Sequence, residues 1–196
     1  MVNSRIVAVA NQKGGVAKTT TVASTGAALA EAGRKVLLID LDPQACLTFA
    51  MGIEPDEVQF TVHDVVLIDC SPSLGVLTIN ALTAATEVLI PMQAETLSHR
   101  GVSQLLETID DVRRYTNRDL RIMGVLPTMF DARTRLAREV LADIETQYDL
   151  PVLPPVSRSV RFAEAPGAGR SVLSTARRSR GAQTYRELAA LMMENR

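Results

Sequence analysis

Short, uniformly apolar runs recur along the chain with helical stretches between them. Ile6-Val7-Ala8-Val9-Ala10, Val36-Leu37-Leu38-Ile39, Val65-Val66-Leu67-Ile68 and Val88-Leu89-Ile90 show no alternation with polar residues. Runs of this kind predict strands buried on both faces. Residues 121–126 read as a less uniform fifth strand. Between them, 19–32, 74–85, 100–115 and 134–148 carry helical spacing and good helix formers, and 183–193 predicts a final amphipathic helix. The βαβα order implies an α/β fold, a mostly parallel sheet with helices on both faces. No repeat, low-complexity segment or linker divides the chain, so residues 1–196 are expected to form one domain. Two stretches break the rhythm. Residues 52–64 are a polar, acidic connection running into a strand without a helix of its own. Residues 151–175, rich in Pro, Gly, Ser and Arg, predict an ordered surface loop system.

Composition narrows the function classes. The chain has 196 residues, 46% hydrophobic and 22% charged, with a formal net charge of −1. A nucleic-acid or membrane surface must therefore be a local cluster. Four Phe, three Tyr and no Trp argue against a base-stacking platform. Cys46 and Cys70 share no CxxC spacing, and His63 and His99 do not complete a metal set. Cys70 ends an apolar run and reads as a small buried hydrophobe. No apolar run reaches the length of a membrane span, and no secretory signal opens the chain, which points to the cytoplasm.

The chemistry gathers where strands end. The first strand leads into Lys13-Gly14-Gly15-Val16-Ala17-Lys18-Thr19-Thr20, and a helix follows. Backbone N–H groups at such a helix start converge on an anion. Lys18 is placed to contact the β- and γ-phosphates of a nucleotide, and the Thr19 hydroxyl to ligate Mg²⁺. Gln12 and Ala17 occupy the two glycine positions of the usual G-x-x-x-x-G-K-[ST] template. A Gly-Gly turn before an ordinary helix is the plainer alternative for this loop alone. Two further apolar strands end in Asp40-Leu41-Asp42-Pro43-Gln44 and Asp69-Cys70-Ser71-Pro72-Ser73. Carboxylates at the carboxyl edge of an open α/β sheet sit where such sheets bind ligands, although each alone could be a strand-capping Asp. The three together predict a nucleotide site.

These segments resemble the ParA/Soj chromosome- and plasmid-partitioning ATPases, which carry a deviant Walker A loop on a P-loop NTPase-type sheet. The likeness extends to Ile90-Pro91-Met92-Gln93-Ala94-Glu95-Thr96-Leu97, Met129-Phe130-Asp131-Ala132-Arg133-Thr134, Val160-Arg161-Phe162-Ala163-Glu164-Ala165-Pro166 and Ser179-Arg180-Gly181-Ala182-Gln183-Thr184-Tyr185. It implies ATP and Mg²⁺ as ligands, slow hydrolysis, and an ATP-dependent homodimer. Lys13 matches the signature lysine that crosses to the partner's phosphates in that family, neutralising charge only once the dimer forms. Asp42 matches the residue that positions the attacking water. Asp40 would support the metal and its water shell, and Asp69 would hold Mg²⁺ through water. Adenine would lie near Pro127, Thr128 and Met129 and the 155–161 loop. Arg158, Arg161 and Arg180 match segments used for non-specific DNA binding, a solvated basic face being the alternative. The resemblance also implies a ParB-like centromere-binding partner, a nucleoid-associated cytoplasmic location and no membrane partner.

Two departures qualify that picture. Ala17 stands where the family has glycine; its methyl group is harmless at negative φ and costly at positive φ. The expectation is that binding survives and hydrolysis is slow. Against the family's pattern one βα unit is missing between Val65 and Val66, which would leave the sheet short by a strand and a helix short of a packing partner. Other functions on this scaffold remain open. They are a MinD-like positioning ATPase acting on a membrane or protein cargo, an assembly ATPase resembling the nitrogenase iron protein, and a hydrolysis-impaired nucleotide-binding variant.

Overall fold

The computed structural model describes residues 4–52, 65–95 and 98–194. Five parallel strands form one sheet: β1 (Arg5–Val9), β2 (Val36–Asp40), β3 (Val65–Asp69), β4 (Glu87–Gln93) and β5 (Arg121–Thr128), in the order β2-β3-β1-β4-β5. Residue-by-residue register sets Asp40 beside Asp69 and Asp69 beside Val9. The ends of β1, β2 and β3 therefore open onto one edge of the sheet.

Alternation along the strands divides the core. Val7 and Val9, with Leu67, Leu89 and Leu126, face α1 (Lys18–Glu31) and α8 (Arg180–Glu194). Ala8 and Ala10, with Ile68, Val88 and Ile90, face α3 (Val76–Ala84), α4 (Ser98–Tyr115) and α5 (Arg135–Tyr148). Both faces are covered, as the unalternated apolar runs required. Fully buried Leu29 and Leu82 anchor the two layers, each worth about 1.5–3 kcal/mol of transfer free energy.

Helix α1 stops where Gly33 takes φ +81°. The Arg34 N–H then donates to the Leu29 carbonyl and the Gly33 N–H to that of Ala30, a Schellman ending that aims the chain into β2. Along α8, Tyr185, Leu188, Ala189 and Met192 are buried in the α1 layer. The apolar stripe of the final helix is thus used in packing. Among the described residues no helix is long and apolar enough to cross a membrane.

Three short helices were not predicted: α2 (Cys46–Ala50), α6 (Arg161–Gly167) and α7 (Val172–Thr175). Residues 151–175 are also more than a surface loop system. Val152 bridges Val125, Ser157 bridges Phe130, and Val156, Ala165, Val172 and Leu173 are buried. Scattered apolar residues in a Pro- and Gly-rich stretch pin it to the sheet edge without giving any period to read. The connection expected over 52–64 falls almost wholly outside the described residues.

Among the described residues β2 pairs with β3 alone, and every one of its residues is only half-buried. Among the described residues Val76, Leu77 and Ile79 of α3 are exposed.

Candidate functional site

The loop between β1 and α1 is tied to the sheet by side chains. Asn11 donates through Nδ2 to the Pro91 carbonyl (2.7 Å) and accepts through Oδ1 from the Lys13 N–H (2.9 Å). Thr128, 1% exposed at the end of β5, donates to the Val16 carbonyl at 3.1 Å. Gly15 takes φ +74°, a turn open to glycine without strain.

Ala17 takes φ +63° with ψ +34° as the residue preceding α1. The question raised by the sequence is thereby answered: this alanine is left-handed. Such a conformation costs an L-residue about 1–2 kcal/mol, part of which glycine would return through its freer unfolded chain. Ala17→Gly is expected to stabilise the fold by about 0.5–1 kcal/mol and to raise ATP turnover severalfold. Steady-state phosphate release at saturating ATP measures this, and an unchanged rate would clear the methyl group of slowing the reaction. A second left-handed alanine, Ala45 at φ +51°, precedes α2 and lines one cavity with Ala17, Lys18 and Thr19. No local residue pattern marks it.

Lys18 is 7% exposed, and its Nζ donates to the Lys13 carbonyl at 3.1 Å, bridging the loop. Burial pushes its ammonium below the ordinary range, while Asp69 and Asp42 pull it back up. Thr19 donates through Oγ1 to Asp69 Oδ2 at 2.7 Å. Asp69 is 1% exposed and its other oxygen, Oδ1, has no hydrogen-bond partner among the described residues. Burial raises this carboxyl to about 6, against the Thr19 hydrogen bond and with a further upward push from Asp40. A buried carboxylate oxygen left unpartnered beside a hydroxyl is a hard oxygen donor set, the kind Mg²⁺ takes. Thr19 and Asp69 therefore fit the implied metal.

Asp42 and Asp40 have different surroundings. Asp42 lines a cavity of about 730 Å³ together with Gly14, Gly15, Lys18, Thr19 and Thr20. Both oxygens of Asp40, expected in the metal shell, accept hydrogen bonds from the turn after β2 and from α2. Lys13 reaches away from the cavity and forms an ion pair with Glu95 of its own chain.

A second cavity of about 530 Å³ adjoins the first across Ala17, Thr20, Met129 and Phe162. It is lined by Thr128, Met129 and 156–160, the region expected to meet adenine. Pro127 is instead buried within β5 and lines neither cavity. Of the three arginines expected on DNA, Arg158 and Arg180 face one surface cavity, joined there by Arg133. Arg161 stands apart, paired with Glu164 at 3.0 Å. Arg133 belongs to the Met129–Thr134 segment, where no local feature marks it for this surface; only the tertiary fold brings it beside the other two.

A family model described as the CobQ/CobB/MinD/ParA nucleotide binding domain matches residues 7–172. The chromosome-partitioning ATPase Soj of Thermus thermophilus is 38% identical over 237 positions, covering 96% of this chain and 95% of that protein. The sporulation initiation inhibitor protein Soj of Bacillus subtilis is 36% identical over 250 positions, covering 97% and 99%. That alignment is longer than the 196-residue chain, so the relative carries an internal stretch with no counterpart here. A solved structure of cobyrinic acid a,c-diamide synthase from Mycobacterium smegmatis, with bound ATP analogue and magnesium, superposes with a TM-score of 0.83 at 42% identity. It covers 97% of this chain and 94% of that one.

Proposed function

Because the chain belongs to the CobQ/CobB/MinD/ParA nucleotide-binding family of ATPases, we propose that it is a partitioning switch, pairing on ATP, holding DNA in that state and resetting by hydrolysis. The observation that carries the reading is the convergence of Lys18, Thr19, Asp42 and Asp69 on one sheet edge, with Lys13 at the rim of the loop.

Each residue has a role set by its surroundings. Backbone N–H groups of Gly14 to Thr20 and the Lys18 ammonium bind the phosphates. Thr19 and Asp69 would hold Mg²⁺, which would supply charge neutralisation on the transferring phosphoryl group. Asp42 orients a water against the γ-phosphorus. As the water oxygen bonds to phosphorus, the bond to the β–γ bridging oxygen breaks. ADP leaves with that electron pair, and the water's proton moves toward Asp42. Lys13 leaves Glu95 to reach the partner's phosphates. Both members of that ion pair are substantially exposed, so its loss costs little.

Arg133, Arg158 and Arg180 offer phosphate contacts with no base readout. Arg133→Ala is expected to weaken binding to all duplex sequences by a similar factor and to lower the log–log salt slope by about 0.9. Fluorescence anisotropy at several salt concentrations measures both, and an unchanged slope would take Arg133 off the DNA. The switch itself is tested by size exclusion with DNA, in ATP and in ADP, for wild type and Lys13→Ala. A wild type with no nucleotide-dependent change in size or DNA retention sinks it. A ParB-like centromere-binding protein is the partner expected to speed hydrolysis.

The 42% identity to the synthase supports a second reading, in which ATP drives amide formation on a carboxylic acid, as that enzyme's name states. Phosphate release without any carboxylate acceptor favours the hydrolytic switch; strict dependence on an acceptor favours the synthase.

A further inference from the structure

We propose that Asp40 is a positioning residue that locks α2 to the turn carrying Asp42, so that the water-orienting carboxylate and one wall of the nucleotide cavity are held as a single unit. The inference rests on the role given to Asp42 above.

One carboxylate serves four donors. Asp40 Oδ1 accepts from the Asp42 N–H at 3.0 Å. Its Oδ2 accepts from the Leu47 N–H (3.1 Å), the Thr48 N–H (3.2 Å) and Thr48 Oγ1 (3.3 Å). An ionised carboxylate offers about two lone-pair sites on each oxygen, so Oδ2 is fully engaged from within the protein and Oδ1 is tied to the turn by one bond. Two of the three donors on Oδ2 are otherwise unsatisfied N–H groups of the first turn of α2. Ala45, which precedes that helix, has no side chain that can cap it, and Asp40 does so from the end of β2.

Asp42 continues the pattern. Its Oδ1 accepts from the Gln44 N–H at 3.0 Å, and the Ala45 N–H donates to its carbonyl at 2.9 Å. Two successive Asp-centred turns thus fix the backbone from Asp40 to Ala45. Asp42 Oδ2 is left without a protein donor among the described residues, free to meet a water. Helix α2 supplies Cys46, Phe49 and Ala50 to the cavity wall opposite Lys18 and Thr19. Freeing α2 would therefore move the wall and the water-orienting carboxylate together.

The role differs from a place in the metal shell, and the difference is measurable. Asp40→Asn turns an N–H₂ group toward N–H donors, whereas Thr48→Val removes one donor without touching charge. Hydrogen–deuterium exchange on the whole chain without nucleotide should show the 42–48 amides exchanging about tenfold faster in Asp40→Asn and about threefold faster in Thr48→Val. The amides of β1 and β4 should keep their wild-type rates. Thr48→Ser, which retains the hydroxyl, should exchange as wild type does.

In ATP hydrolysis, Asp40→Asn should lower kcat about tenfold while KM for ATP and half-saturating Mg²⁺ stay within about twofold of wild type. Unchanged exchange in Asp40→Asn and Thr48→Val overturns the proposal. So does a severalfold shift in half-saturating Mg²⁺ with exchange unchanged, the result a metal-shell residue would give. Should Asp40→Asn fail to fold, Thr48→Val and its Ser rescue decide the matter. Absence of hydrolysis in wild type sinks the ATPase reading and leaves the exchange rates to judge the clamp.

Discussion

Asp42→Asn is expected to slow ATP turnover by roughly two to four orders of magnitude while leaving affinity for ATP within severalfold of wild type. The asymmetry follows from where each oxygen of Asp42 goes. Oδ1 accepts from the Gln44 N–H, and an asparagine oxygen can do the same, so the turn after β2 survives the change. In the proposed mechanism Oδ2 is the atom that faces the reacting water, and the substitution puts a donor N–H₂ in its place. That group can neither accept the water's proton nor stabilise the charge that develops on the attacking oxygen.

Affinity is expected to stay because, in that mechanism, the loop and Lys18 hold the phosphates. Removing one nearby anion lowers the protonation tendency of Lys18 slightly, since Asp42 is among the groups raising it. The larger downward influence, burial, is untouched. Single-turnover phosphate release and a fluorescent-nucleotide titration measure the two quantities separately. A rate within about threefold of wild type would remove Asp42 from the chemistry. In the switch reading the variant should also stay paired on ATP, because the step that releases the pair has been blocked.

Much of this arrangement was legible in the chain, and the illegible parts share physical causes. The strands could be read because Val7 to Ala10 and Val65 to Ile68 are apolar on both faces, and no surface helix produces that pattern at that length. The order β2-β3-β1 explains why three strand ends carry the chemistry: parallel neighbours in register bring Asp40, Asp69 and the end of β1 to one level. Helices α2, α6 and α7 escaped because elements of five, seven and four residues are too short to show a helical period. Ala17 could be marked as a question but not answered, since the sign of φ is set by the loop's tertiary ties to Asn11 and Thr128. Asp40 is the most instructive case. An Asp-x-Asp strand end looks the same whether its first carboxylate meets a metal or caps a helix, and only the positions of Leu47 and Thr48 tell the two apart. Arg133 lies in the Phe130-Asp131-Ala132-Arg133 turn, distant in sequence from Arg158 and Arg180. Nothing local announces that the three share a cavity.

Asp69→Asn is expected to reverse the usual trade between activity and stability. In wild type without Mg²⁺, the folded protein holds this carboxyl at about 6 against an ordinary value of 3.8, chiefly because burial disfavours its charge. A raised folded value means that the native state binds more protons than the unfolded chain between those two pH values. Stability therefore falls as pH rises from about 4 to about 6 and is level above, a loss of about 3 kcal/mol. Asparagine cannot ionise, so the variant should lack this slope, although its amide leaves an N–H₂ partly unpaired where Oδ1 stood. At pH 7.5 without metal, the variant should be the more stable protein by about 1–2 kcal/mol. Adding Mg²⁺ and ATP should invert the order. The cation relieves the buried charge in wild type, and ligand binding stabilises the native state by mass action. If Asp69 holds the metal as proposed, the variant lacks the carboxylate that answers it and should gain little. Urea unfolding at pH 4.5 and 7.5, with and without Mg²⁺ and ATP, measures all four corners. A wild-type stability that is flat or rising between those pH values without metal would refute the costly buried carboxylate. Equal stabilisation of both proteins by Mg²⁺ and ATP would take Asp69 out of the metal site.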